Sequence, residues 1–198
     1  MAKLYYQGHG SLRFETKDGT VIYVDPYAGD GYELPADLIL VTHGHHDHNV
    51  ITLPAKKESC VILTQEEALK NGEYQKFTVG DIEIEAVPAQ NSHHDVRECV
   101  GYLLRFDGLC IYASGDTSTT DWMLEKAPEE EIDYAFYPID GIYNMDAAEA
   151  SVCAKAVGAK HSIPIHMKPG DLFDRALAEK FTANGRVIVA AGETLELK

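Results

Sequence analysis

Residues 43–48 read His-Gly-His-His-Asp-His, directly behind the apolar run Leu38, Ile39, Leu40 and Val41. Packing alone does not call for four imidazoles and a carboxylate within six residues. Imidazole nitrogen and carboxylate oxygen are the donors that suit zinc and its neighbours. A chain carrying such a cluster must fold so that its donors meet. The apolar run, bounded by Pro35 upstream and Gly44 downstream, suits a buried strand. Thr42 and Gly44 let the chain turn sharply at its end. His43 and His45 stand two apart and project to the same side of extended backbone. Asp47 and His48 follow the turn and aim from another direction. Two same-side imidazoles can hold one metal ion, and the Asp47-His48 pair can hold a second. His46 reads as exposed or supporting. The competing reading is a polar loop that is merely rich in histidine.

That competing reading weakens as similar placements accumulate. His93 and His94 follow the alternating run 82–87 and Pro88. Asp116 follows the buried-looking stretch 110–115, and His166 ends Ile163-Pro164-Ile165. Taken singly, Asp116 reads as a turn or helix cap and His166 as a satisfied structural histidine. Together with the cluster they place donors at several strand ends, and strand ends on one sheet edge converge.

The remaining pattern gives the frame. Residues 12–15 and 21–24 read as a hairpin around Lys17-Asp18-Gly19, and 100–106 with 109–113 as another around Asp107-Gly108. Further strands are expected over 37–41, 60–63, 82–87, 134–137, 162–165 and 186–190, the last continuing through 195–197. Helices are expected around 66–70, over 145–157 with Gly158 as its stop, and over 171–181. Early hairpins followed by strand–helix alternation imply two sheets with helices on their outer faces. No G-x-G-x-x-G or P-loop pattern is present, so nothing supports a nucleotide-binding fold. With 198 residues, no linker-like stretch and no internal repeat, residues 1–198 read as one domain.

Charge and cysteines narrow the partners. Seventeen Lys+Arg against 32 Asp+Glu give a net charge of -15, which repels long nucleic acid and anionic lipid. A small substrate is expected instead, and an anionic one remains compatible because bound metal can reverse the local potential. No apolar run approaches a membrane span or a secretory leader. Cys60, Cys99, Cys110 and Cys153 are scattered without a CxxC pair, which suits reduced thiols and a cytoplasmic location. Cys99 alone lies near the histidine pair.

These motifs carry a family resemblance. The chain resembles the metallo-β-lactamase superfamily, and within it the small metal-dependent hydrolases related to the ascorbate-6-phosphate lactonases. The signature H-x-H-x-D-H stands as residues 43–48, the aspartate motif as Gly115-Asp116-Thr117, and the last histidine in Pro164-Ile165-His166. Gly8-His9-Gly10-Ser11, Asp25-Pro26 and Pro138-Ile139-Asp140-Gly141 resemble further elements of that branch, so the likeness spans residues 4–197. It implies an α/β fold, a four-layered αββα sandwich with the metals in a crevice at the sheet edges. It implies that His43, His45 and a third histidine hold one ion, the third being His93 in preference to His94. It implies Asp47, His48 and His166 around the other, with Asp116 bridging.

The donor set suits two divalent ions, zinc first and manganese second. The diiron oxygen-reducing members carry Glu where this chain has His45, and an attached flavin domain, so redox chemistry is not expected. The expected reaction is attack of a metal-activated hydroxide on a small ester or lactone, phosphorylated or not. Asp47 and Asp116 would serve catalysis as well as ligation. His9, with His161 and Lys168, is a candidate for proton donation or substrate anion contacts. The alternatives are a phosphodiesterase acting on small or cyclic phosphodiesters, and a metal-dependent binding module without turnover.

Overall fold

Period-two alternation of apolar side chains sorts this chain into two sheets. The computed structural model describes all 198 residues. The first sheet holds β1 (Lys3–Gly8), β2 (Ser11–Glu15), β3 (Val21–Val24), β4 (Ala36–Leu40) and β5 (Lys56–Leu63). Helix α1 (Gln65–Ala68) and a small hairpin, β6 (Leu69–Lys70) with β7 (Glu73–Tyr74), lead to the second. There β8 (Lys76–Val79), β9 (Ile82–Pro88), β10 (Val100–Phe106) and β11 (Leu109–Ala113) are followed by α2 (Asp121–Glu125) and a 3₁₀ turn (Ala127–Glu129). Then come β12 (Tyr134–Pro138), α3 (Ala147–Val157), β13 (His161–Ile165), α4 (Arg175–Ala178) and β14 (Thr194–Glu196). The strand orders are β14-β1-β2-β3-β4-β5 and β13-β12-β11-β10-β9-β8.

The main core lies between the sheets. Leu4, Tyr6, Leu12, Phe14, Ile22, Val24, Leu38 and Leu40 face Ile82, Ile84, Tyr102, Leu104, Phe136 and Ile163 across it. The alternate residues of the second sheet, among them Leu103, Tyr112, Ala135 and Tyr137, pack against α2 and α3 through Met123, Ala150, Cys153, Ala154 and Val157. This is why β12 reads as an unbroken apolar run: both its faces are covered. The outer face of the first sheet carries Val21, Tyr23, Ile39 and Val41, with Tyr32, Leu34 and Ile51 packed on them. Loop segments make that cover, and no helix does. No helix in the chain is long and apolar enough to cross a membrane.

Strand direction gathers the chemistry. β1 and β3 both run antiparallel to β2, and β4 is parallel to β3. β9 and β11 both run antiparallel to β10, with β12 and β13 parallel to β11. The C-terminal ends of β1, β3 and β4 therefore share one edge of their sheet, and those of β9, β11, β12 and β13 share one edge of theirs. The two edges are joined: His43 bridges Cys99, the Val100 N–H donates to the Thr42 carbonyl at 2.9 Å, and the Tyr102 hydroxyl to the Val41 carbonyl at 3.0 Å.

The hairpins and the long helix stand where expected, α3 starting at Ala147 because the Asp146 side chain accepts from the Ala148 and Glu149 N–H groups. Its stop is Gly158, at φ 73°. Other expectations need correction. The helix expected over 171–181 is the single turn Arg175–Ala178, whose start is set by the Asp174 cap. The strand expected over 186–190 is reduced to one bridge, Ser162 with Arg186, and the last strand is β14 on β1. The helix expected around 66–70 ends at Ala68, because Asn71 and Gly72, both at positive φ, turn Leu69–Lys70 back into a hairpin. Strand β8 alternates, with Phe77 and Val79 half-buried, but over only four residues, and it lies outside the expected strands.

Gly115 stands at the sheet junction with φ +65°, and a Cβ there would lie 2.9 Å from both Thr42 Cβ and the Val100 carbonyl oxygen. Gly115→Ala combines left-handed strain with a clash across the junction. We expect a loss of about 2–4 kcal/mol in urea unfolding. A loss under about 0.5 kcal/mol would mean that the junction yields freely.

Candidate metal centre

Seven segments reach the joined edge, each by a strand end or a turn. Behind β4, Thr42 begins the turn that carries His43, His45, Asp47 and His48. His94 follows β9, Asp116 follows β11, His166 follows β13, and His9 sits in the β1–β2 turn. Two more carboxylates arrive the same way: Asp25 after β3 and Asp140 after β12. His9, Asp25 and His166 all have positive φ, at 55°, 48° and 44°. Left-handed backbone in non-glycine residues is sparse, and here it recurs at three turns into one site.

The side chains form two donor groups, linked by a third made of Asp25, His43 and His48. In the first, ligand atoms of His43, His45 and His94 lie within 4.8 Å of one another. In the second, so do those of His9, Asp47, His48 and His166. Asp116 adjoins the second group: its Oδ1 lies 3.3 Å from His48 Nε2 and 3.4 Å from His166 Nε2. His93 is not brought in. It is exposed, with its ring edge-on to Tyr143 at 4.9 Å, while the neighbouring His94 is buried against His43 at 4.9 Å between ring centroids. The fold therefore brings His94, and not the expected His93, to His43 and His45. Asn91 decides this: its Oδ1 accepts from both the His93 and His94 N–H groups, and that tight turn swings the second imidazole inward. His46 is exposed, as expected.

Three other expectations fall outside the site. His161 starts β13, at the opposite end of the strand from His166, and stacks on Tyr134. Lys168 is exposed and paired with Asp171 at 2.6 Å. The Cys99 thiol points at the Asp116 and Val100 carbonyls, and burial pushes it up well beyond the usual thiol range.

Sequence reasoning gave no role to the residues that orient the donors. Asp25 Oδ1 accepts from the Thr42 N–H at 2.7 Å, and its Oδ2 accepts from the Thr42 hydroxyl at 2.6 Å. The same Oδ2 lies 2.8 Å from His48 Nδ1. Asp140 Oδ2 lies 3.1 Å from His166 Nδ1. In each case a carboxylate faces the far nitrogen of an imidazole whose Nε2 looks into the site, the usual arrangement for fixing a ligating histidine. A signal was present, since both aspartates end apolar strands just as Asp116 does. Gly10 was unexplained as well: a Cβ there would lie 2.9 Å from His48 Cε1.

The electrostatics suit cations. Nε2 of His43 and His48, Nδ1 of His94 and both ring nitrogens of His166 are buried without a well-aligned hydrogen bond, although Asp140 Oδ2 stands 3.1 Å from His166 Nδ1. Each such orphan costs about 1–3 kcal/mol unless something satisfies it. Burial, with the charge of His48 adding to it, pushes His43 down to about 2, which keeps it neutral and able to ligate. Burial disfavours charge on His48 too, but Asp116 and Asp25 outweigh it and push His48 up to about 9. Burial alone would raise Asp116, yet His48, His166 and His43 hold it well below the usual carboxylate range. Asp47 is likewise held low, against burial, by its hydrogen bond from His9 at 3.2 Å and by His48. Carboxylates thus sit beside buried imidazole nitrogens that lack hydrogen-bond partners, and the donor set fits divalent metal by its chemistry.

Comparison with known proteins gives the family and the fold. The model of the β-lactamase superfamily domain matches residues 3–166. A metal-dependent hydrolase of Pyrococcus furiosus is 30% identical over the full length of both chains. One of Bacillus velezensis is 28% identical over 98% of this chain and 99% of its own. A solved structure from Parabacteroides distasonis is 30% identical, covers 96% of this chain and 93% of its own, and superposes with a TM-score of 0.77. A metallo hydrolase of Ignicoccus hospitalis shares the fold at a TM-score of 0.77 and 22% identity, covering 100% of this chain and 99% of its own. The matched span contains every donor named above, and the chain belongs to the metallo-β-lactamase superfamily.

Proposed function

We propose that this chain is a metal-dependent hydrolase of small esters or lactones with a dinuclear centre. His43, His45 and His94 would hold one divalent ion, and Asp47, His48 and His166 the other, with Asp116 shared. Zinc is the first choice of metal and manganese the second. The observation that carries the reading is the convergence of buried imidazoles of His43, His48, His94 and His166, with nitrogens that lack hydrogen-bond partners, beside a buried, ionised Asp116. When bound, such ions supply Lewis acidity: they acidify water and polarise the electrophilic oxygen of a substrate.

The chain's own residues supply the rest. Asp25 and Asp140 fix the rings of His48 and His166 from behind. Asp47 is partly open to solvent and ionised, so it can accept a hydrogen bond from a water held beside it and orient that water. His9 presents Nε2 to Asp47 and is held in place by its own backbone, which donates to the Leu172 carbonyl and accepts from the His166 N–H, both at 2.8 Å. Burial pushes His9 below the usual histidine range, so it orients Asp47 as a neutral donor. A binding module without turnover would not need an exposed, ionised carboxylate beside buried ligands.

Elemental analysis of the reconstituted protein should find close to two equivalents of divalent metal. Less than half an equivalent, with all donors intact, would end the dinuclear reading. In the same assay His94→Ala should lose about one equivalent and His93→Ala none; the reverse pattern would restore His93.

Asp116→Ala should lower kcat/KM more than ~10²-fold on whichever ester or lactone a substrate screen finds. Circular dichroism should stay unchanged, because the Asp116 side chain fills no part of the apolar core. Activity within a factor of about three, under about 1 kcal/mol of transition-state stabilisation, would remove Asp116 from the mechanism.

A further inference from the structure

The crevice edge is poor in free cations. Of the groups that might meet a substrate anion, His9 is engaged by Asp47, Lys168 by Asp171 and Arg97 by Asp95. His161 is at the other end of its strand. With a net charge of -15 around this edge, neither Lys168 nor Arg97 stands free for an anionic substrate arm. The edge offers apolar surface instead. Ile142 is 61% exposed and Tyr143 44%, on the loop between β12 and α3. Leu172, also exposed, flanks the crevice where its carbonyl takes the His9 N–H.

The loop carrying Ile142 and Tyr143 is pinned to both donor groups. Asp140 Oδ1 accepts from the N–H groups of Ile142 and Tyr143 at 2.7 Å each and of Asn144 at 3.3 Å. Its Oδ2 accepts from Asn144 Nδ2 at 2.7 Å and faces His166 Nδ1. Asn91 Nδ2 donates to Asn144 Oδ1 at 2.9 Å and lies 3.1 Å from His94 Nε2. Tyr143 also rests on His93. One chain of polar contacts therefore runs from His94 through Asn91, Asn144 and Asp140 to His166. It fixes the backbone of a loop that carries the exposed Ile142 and Tyr143 beside the crevice. Apolar groups on a fixed loop gain by burial without a large ordering cost.

We propose that Ile142 and Tyr143 form the wall that receives an uncharged, apolar acyl or aryl arm of the substrate. Resting on the hydrolase reading above, this makes neutral apolar esters or lactones the substrate class, in place of phosphorylated ones. Neither side chain is a metal donor, so the wall can be altered with the centre left intact.

The test uses the metal-loaded protein and two matched series. Straight-chain alkyl hydroxamates, which anchor on metal and do not turn over, are titrated calorimetrically. Neutral nitrophenyl esters of the same chain lengths, and one phosphorylated analogue, are assayed for kcat/KM. We expect affinity and kcat/KM to rise roughly twofold per added methylene, about half the free-energy gain of full burial. The Ile142→Ser, Tyr143→Ser double variant should flatten both slopes with metal content unchanged. Hydroxamates that show the slope while no ester turns over would uphold the wall and overturn the hydrolase reading. Ester turnover without a slope would do the opposite. The wall is also overturned by a slope that survives in the double variant, by hydroxamates that fail to bind, or by preference for the phosphorylated analogue.

Discussion

The buried carboxylate of Asp25 is the contact on which the rest of the site depends. Three groups converge on it: the Thr42 N–H, the Thr42 hydroxyl and His48 Nδ1. Thr42 is also the residue whose carbonyl takes the Val100 N–H, so the carboxylate that aims a histidine also fixes the junction between the sheets. Asp25 is in turn held by its own backbone, whose carbonyl accepts from the Ser11 hydroxyl at 2.6 Å. A buried carboxylate left without partners would be costly. Here several hydrogen bonds satisfy it, and the same bonds fix the chain as β4 runs into the histidine cluster.

What could be read from the sequence follows from the range of the forces involved. The cluster at 43–48, Asp116 and His166 were legible because each ends a recognisable strand, and parallel strands bring their ends to one edge whatever the loops do. The choice between His93 and His94 was not legible. It hangs on Asn91 folding its side chain over the next two N–H groups, a local turn that leaves no mark in periodicity. The orienting aspartates were visible as residues but not as partners, because pairing Asp25 with His48 and Asp140 with His166 requires knowing which strands are neighbours. The helix expected over 171–181 failed for a related reason. Leu172 is tied back to the β1–β2 turn through the His9 N–H, and Asp174 caps only the turn that follows.

Charge in this protein works at two scales. Over the whole surface the net charge of -15 discourages polyanions. Within the crevice the same sign is arranged with donors so that positive charge is favoured at particular points. The upward push on His48 is the clearest sign of this: deep burial disfavours its protonation, yet the surrounding carboxylates draw a proton onto it. A divalent cation meets the same field with more charge and more directional ligands. His43, pushed the other way by burial, supplies a neutral nitrogen on the far side. Opposite perturbations on two histidines whose ring centroids are 4.2 Å apart are what a site needs if some donors are to be neutral and the field around them negative.

The contacts that orient the ligands also shape the surface a substrate would meet. Asp140 uses one oxygen to cap the loop of Ile142 and Tyr143 and the other to face His166. Asn144 ties that loop to Asn91, which sets the turn of His94. Movement of the rim therefore cannot be independent of the imidazoles beneath it. A rim built this way cannot open widely without disturbing ligand geometry, which favours a crevice that accepts substrate with little rearrangement. The freedom to change specificity lies in side chains that make no part of the polar chain, and on this loop those are Ile142 and Tyr143. Selection on substrate can act there while Asp140 and Asn144 keep the centre in register.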